Sequence, residues 1–129
     1  MAPGTRVRTV RVLIADDHRL FAEALEAILD SEAQLTVVGR AGDGREALAL
    51  TIELDPDVVL LDISMPVMDG FEAAAAITRL PNKPAVLMLT GSNAAQDVDR
   101  ARRSGASGYV TKDAISARLV DAILAAAAA

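Results

Sequence analysis

With 129 residues, 52% hydrophobic and 24% charged, the chain has enough material for one domain with a real core and too little for two. A formal net charge of -5, few aromatics (Phe21, Phe71 and Tyr109) and no cysteine exclude a basic grip on nucleic acid, base-stacking platforms, disulfides, thiolate zinc sites and a cysteine nucleophile. No apolar run approaches the roughly eighteen residues of a membrane span, so no membrane partner is expected, and the missing cysteines fit a reducing cytoplasm.

Residues 1–9 form a short extension: MAPGTRVRT carries Arg6 and Arg8 and no apolar signal core. Val10 to Ala15 reads as a first strand and runs into Asp16, Asp17 and His18, the histidine expected to be solvated at a helix start rather than a ligand. From Arg19 to Asp30, Leu20, Phe21, Ala24, Leu25, Ile28 and Leu29 recur at steps of three and four, which predicts a helix burying that stripe. A second strand is expected over Leu35 to Gly39. Asp43-Gly-Arg-Glu46 then resembles a capping box opening the second helix.

Val58 to Leu61 forms the third strand, with Asp62 at its end; Met65-Pro66 shapes the turn, and Asp69-Gly-Phe-Glu72 repeats the capping-box pattern, making Asp69 a helix cap. Ala85 to Leu89 is the fourth strand, ended by Thr90, and Ser92 and Asn93 are expected to cap a fourth helix whose Arg100, Arg102 and Arg103 face solvent. Gly108 to Val110 is the fifth strand, with Lys112 just beyond it. The last helix carries Ile115, Leu119 and Ile123 on one stripe, with Val120 and Leu124 beside it. Met65, Met68 and Met88 read as loop or core packing.

This alternation is α/β in class: a (βα)5 doubly wound, flavodoxin-like sandwich over residues 10–124, with a five-stranded parallel sheet in the order 2-1-3-4-5. In that order ligands bind outside the carboxyl ends of the strands, where strands one and three part, and Asp16, Asp17 and Asp62 would converge there. Three carboxylates in one pocket repel unless one is protonated or a cation joins them. With hard oxygen ligands and no His or Cys cluster, Mg2+ is the natural cation. Lys112 and Thr90 add an ammonium and a hydroxyl, the groups that a phosphoryl dianion on Asp62 would need.

Asp16-Asp17, LLDISMPVMDG from Leu60, LTG from Leu89 and GYVTKDA from Gly108 together resemble the receiver domain of two-component response regulators, over Val10 to Leu124. The details IADDH, MPVMDG and GASGYVTKDA are most similar to the LuxR/NarL class, whose transcription factors carry a C-terminal helix-turn-helix. The resemblance implies that Asp62 is the phosphoacceptor for a sensor histidine kinase, assisted by Thr90 and Lys112. It implies Mg2+ held by Asp16, Asp17, Asp62 and the backbone carbonyl of Ser64. Thr90 and Tyr109 become the switch that alters the face made by the fourth helix, fifth strand and fifth helix.

It also implies a signalling phosphoacceptor rather than a turnover enzyme. DNA would be bound through a domain absent from this chain, to which the alanine-rich residues 125–129 could lead. The wide apolar surface of the last helix raises the expectation of a homodimer on phosphorylation. Ser64 and Ser92 are expected to tune the lifetime of the phosphoryl group.

Asp113 stands where many receivers have Pro after the lysine, so the resemblance does not carry a cis peptide over to this chain. Three rivals share the chemistry or the fold. A flavodoxin-like cofactor binder needs a hydroxyl- and glycine-rich phosphate loop after the first strand, where DDHR is acidic and would repel the phosphate. A haloacid-dehalogenase-like phosphatase also uses a strand-end Asp, but needs a second Asp where this chain has Ser64. A pseudo-receiver would act only as an interaction module, without need for the complete acidic, Thr and Lys set.

Overall fold

The short aliphatic runs of the central strands, too apolar to face water on either side, set the centre of the molecule. The computed structural model describes residues 9–91 and 95–128, so the caps expected at Ser92 and Asn93 lie outside the described residues. The elements in order are β1 (Val10–Ala15), α1 (Arg19–Asp30), β2 (Leu35–Ala41), α2 (Gly44–Leu54), β3 (Val58–Asp62), α3 (Gly70–Ile77), β4 (Ala85–Thr90), α4 (Ala95–Arg103) and β5 (Gly108–Thr111). A short 3-10 turn (Lys112–Ala114) then leads into α5 (Ile115–Ala128). All strand pairs are parallel, in the order β2-β1-β3-β4-β5.

Strand alternation divides the core in two. Val12, Ile14, Val58, Leu60, Leu87 and Leu89 point to the face covered by α1 and α5. Their neighbours Leu13, Ala15, Val59, Leu61, Val86 and Met88 point to the face covered by α2, α3 and α4. Continuing the same alternation puts Asp16 and Asp62 on the α1/α5 side, and Thr90 with Tyr109 on the α4 side.

Helix α1 departs from the expected stripe. Ala22, Leu25 and Leu29 are buried, whereas Leu20 is 81% exposed and Ala24 and Ile28 are also exposed. At about 100° per residue the six apolar positions spread over roughly half the helix circumference. The sheet covers only the half that includes Ala22. Leu20, Ala24 and Ile28, four residues apart, form the uncovered margin.

The caps are set by local chemistry. Asp69 and Glu72 complete a reciprocal capping box at α3. At α2 the Asp43 carboxylate accepts from the Glu46 amide, but the Glu46 carboxylate reaches back to the amide of Gly42 rather than to that of Asp43. Strand β2 runs two residues past Gly39, beyond a register shift at Val12/Leu13 that opposes Leu13 to Gly39. On α5, Ile115, Leu119 and Ile123 are buried, and Val120 and Leu124 pack on the same core. Val120 and Leu124 are only partly buried by that packing.

Candidate functional site at the carboxyl edge of the sheet

Two strand-end aspartates are fixed by the same local device. The Asp16 carboxylate accepts the amide of His18 at 2.8 Å, and the Asp62 carboxylate accepts the amide of Ser64 at 3.3 Å. Each is an aspartate bonding the backbone two residues on, which turns the chain off the strand and aims the carboxylate along the sheet edge. The ladder continues beneath both: the Asp16 amide donates to the Ala41 carbonyl at 3.0 Å, and the Ile63 amide to the Leu89 carbonyl at 3.1 Å.

Strand order then brings β1 and β3 side by side. Asp16 and Asp62 are each only 3% exposed. Lys112 enters from the turn after β5, its Nζ lying 3.2 Å from Asp16 Oδ2, 3.6 Å from Asp62 Oδ2 and 4.5 Å from the centre of the Phe21 ring. Asp62 Oδ2 is buried and has no hydrogen-bond partner. Burial first, and the Asp16 carboxylate second, push the Asp62 carboxyl above its ordinary value of 3.8, while Lys112 and the Ser64 amide pull it down and Asp17 adds a further upward push.

Asp16, Asp17, His18 and Asp62 each offer a ligand atom, and these atoms all lie within 4.8 Å of one another. A buried carboxylate oxygen lacking a hydrogen-bond partner, facing two more carboxylates, fits a hard divalent cation. Beside the cluster opens a cleft of about 370 Å3, lined by Asp16 and Asp17 together with Arg19, Arg40, Gly42 and Glu46.

Thr90 is buried at the end of β4, next to β3 in the sheet, and the register Met88 to Tyr109 and Thr90 to Thr111 makes Tyr109 its diagonal neighbour on β5. Tyr109 is 39% exposed and borders a cavity of about 150 Å3 between α4 and β5, shared with Val98, Ala101 and Arg102.

Residues 12–124 match the family described as the response regulator receiver domain. The chain belongs to that family. Its receiver domain is 38% identical to the transcriptional regulatory protein LiaR of Bacillus subtilis (strain 168), over 91% of this chain and 56% of LiaR. Among solved structures, the signal receiver domain of NarL from Mycobacterium tuberculosis superposes with a TM-score of 0.89 at 38% identity, covering 94% of this chain and 98% of that one. A LuxR-family two-component response regulator from Aurantimonas sp. SI85-9A1 superposes at 0.88 with 34% identity, over 93% and 86% of the two chains. The LuxR/NarL resemblance therefore holds. The chain spans about half the length of the curated relatives it matches.

Asp16, Asp17, Asp62 and Lys112 are thus brought together, with Ser64 supplying an amide, while Thr90 ends the neighbouring strand β4 and Tyr109 is diagonal to it on β5. Several contacts escaped the sequence reading. His18 is solvated, as expected, yet its Nδ1 lies 3.3 Å from Asp16 Oδ1 and 3.4 Å from Asp17 Oδ1. Phe21 is a wall for Lys112. Arg100 is not merely solvated: its guanidinium stacks 4.1 Å from the centre of the Phe71 ring. Val67 adopts φ 68°, and the Met68 amide bonds the Pro66 carbonyl at 2.7 Å, a γ-turn of the strained, positive-φ kind. Its one sequence signal was the Met65-Pro66 turn. Among the described residues no peptide bond is cis, and no helix is long and apolar enough to cross a membrane.

Proposed function

We propose that Asp62 accepts a phosphoryl group from a phosphohistidine of a sensor histidine kinase, and that this modification switches the face formed by α4, β5 and α5. The observation that carries the reading is Asp62 Oδ2, a buried oxygen with no hydrogen-bond partner beside the Lys112 ammonium. A lone pair of that oxygen attacks phosphorus and forms a P–O bond. The P–N bond breaks, its electron pair stays on the imidazole, and that ring takes a proton from solvent.

Asp16, Asp17, Asp62 and the backbone carbonyl of Ser64 would hold Mg2+, which when bound offsets negative charge on the phosphoryl oxygens. Lys112 pairs with one phosphoryl oxygen and the Thr90 hydroxyl donates to another. Tyr109 moves inward toward the space that Thr90 leaves, and the cavity beside it offers room for a change of packing. Residues 10–124 act as the receiver unit of a longer cytoplasmic regulator that binds DNA through a part outside this sequence; LiaR, a transcriptional regulatory protein, supports that output.

Incubation with a small phosphodonor in Mg2+ is expected to give one labile phosphoryl adduct by intact-protein mass spectrometry, and Asp62→Asn none. An adduct on the variant overturns the assignment of Asp62. A beryllium fluoride complex, which mimics the acyl phosphate, is expected to shift the amide resonances of Thr90 and Tyr109. Unchanged resonances there remove the switch.

A further inference from the structure

We infer that the imidazole of His18 is a nitrogen ligand of the cation site, so that this receiver favours a transition-metal dication, Mn2+ among them, more strongly than an all-oxygen site would. The inference rests on the proposal that the acidic cluster binds a divalent cation, and it names the residue that sets which cation is preferred.

Position is the first ground. Ligand atoms at about 2.1 Å from a metal stand about 3 Å apart on adjacent corners of an octahedron and about 4.2 Å apart on opposite corners. His18 Nδ1 is 3.3 Å from Asp16 Oδ1 and 3.4 Å from Asp17 Oδ1, the spacing of adjacent corners slightly relaxed. The full set, Asp62 included, spans no more than 4.8 Å, so small inward movements close it around one ion.

The second ground is that His18 is held in place without being used elsewhere. It is the N-cap residue of α1, in extended conformation, yet its side chain makes no capping bond to the helix. Its backbone amide is tied to Asp16 Oδ1 at 2.8 Å, which fixes the ring's starting point against the cluster. The side chain is 69% exposed, so little packing resists a small rotation.

The third ground is independent of the imidazole: Asp62 Oδ2, buried and without a hydrogen-bond partner, already marks the pocket as one that a ligand completes. Mg2+ is bound through oxygens and gains little from imidazole nitrogen. Among first-row dications imidazole suits Fe2+, Ni2+, Cu2+ and Zn2+ best; Mn2+ shares the oxygen preference of Mg2+ but accepts an imidazole nitrogen more readily than Mg2+ does, which makes it the stringent probe. Nitrogen in the set therefore shifts the ratio of affinities rather than the ability to bind at all.

The test uses the whole chain, with Mn2+ and Mg2+ as the probes. Free Mn2+ is followed by electron paramagnetic resonance during titration, Mg2+ is added in competition, and nitrogen hyperfine coupling to the bound ion is read by pulsed measurement. Wild type is expected to show the coupling. His18→Asn and His18→Ala are expected to lose it, with the Mn2+/Mg2+ affinity ratio falling on the order of tenfold and Mg2+ affinity falling much less. If both cations bind wild type without nitrogen coupling, or the ratio is the same in both variants, His18 only pairs with the carboxylates; the inference fails and the acidic cation site stands. If neither cation binds wild type, the cation site itself fails, and this inference with it.

Discussion

Gly70 packs so closely beneath Asp62 that a Cβ on Gly70 would stand 2.1 Å from the Asp62 carbonyl oxygen and 2.8 Å from Ile63 Cα. The obstruction is backbone inside the core, where nothing flexible can yield. Alanine in a helix is normally favoured over glycine by about 1 kcal/mol, whereas forcing an atom into packed backbone costs about 1–3 kcal/mol. Gly70→Ala is therefore expected to lower stability by up to about 2 kcal/mol in urea denaturation, and to slow phosphorylation because the residue pushed aside carries the acceptor. A more stable variant would show that the loop after β3 is slack.

Burial of Asp62 has a cost that depends on pH. Folding raises its pKa above 3.8, so the native state holds the proton more tightly than the unfolded chain does. Below 3.8 both states are protonated and the cost is nil. As pH rises from there through the folded pKa, stability falls, and above that value the cost is complete. Asp62→Asn, which never ionises, is expected to melt higher than wild type at pH 7, with the gap narrowing as pH falls toward 3.8. A gap that stays constant across a pH series of melting curves would trace the gain to something other than the buried charge.

Phe21 contributes to the same electrostatics from a distance. Its ring lies under the Lys112 ammonium at 4.5 Å, a contact worth about 0.5–2 kcal/mol when partly desolvated. Phe21→Leu keeps an apolar side chain and removes the ring's negative face. Lys112 then wanders, its downward pull on Asp62 weakens, and the Asp62 pKa is expected to rise further. Carbon-detected titration of the Asp62 carboxyl in both proteins reads this directly. Identical titrations would mean that the carboxylates alone hold the lysine.

Strand ends were the legible part of this chain. A run such as Val58 to Leu61 is too apolar and too short to be anything but a buried strand, so the carboxylate that follows it falls at the sheet edge, and the βα alternation decides which edges meet. Helix α1 shows where such reading stops. Leu20, Ala24 and Ile28 obey the helical period as well as Leu25 and Leu29 do, and only the width of the sheet beneath decides which are covered. The stacking of Lys112 on Phe21 and of Arg100 on Phe71 depends on helices meeting in three dimensions, as does the approach of Gly70 to Asp62. Asp16 and Asp17 directly precede His18 in the sequence, but that its imidazole turns back onto their carboxylates depends on how the chain leaves β1.

Arg100 and Phe71 join α4 to α3, and the attachment matters because α4 has so little else. Its sequence, AQDVDRARR, is strongly polar, and Ala101 is the buried hydrophobic residue it supplies among those described. Phe71, by contrast, sits in the first turn of α3 with its ring nearly buried, two residues past the Asp69 cap. A guanidinium 4.1 Å from that ring therefore anchors a weakly packed helix to a rigid one. Arg100→Gln is expected to cost about 0.5–1 kcal/mol of global stability and to raise amide hydrogen exchange over residues 96–103 more than in α3 or α5. Arg100→Lys, which keeps the cation but not the planar stack, is expected to fall between the two. Exchange in α4 that does not change in Arg100→Gln would show the arginine to be solvated in effect, and α4 to be held by Ala101 and its backbone alone.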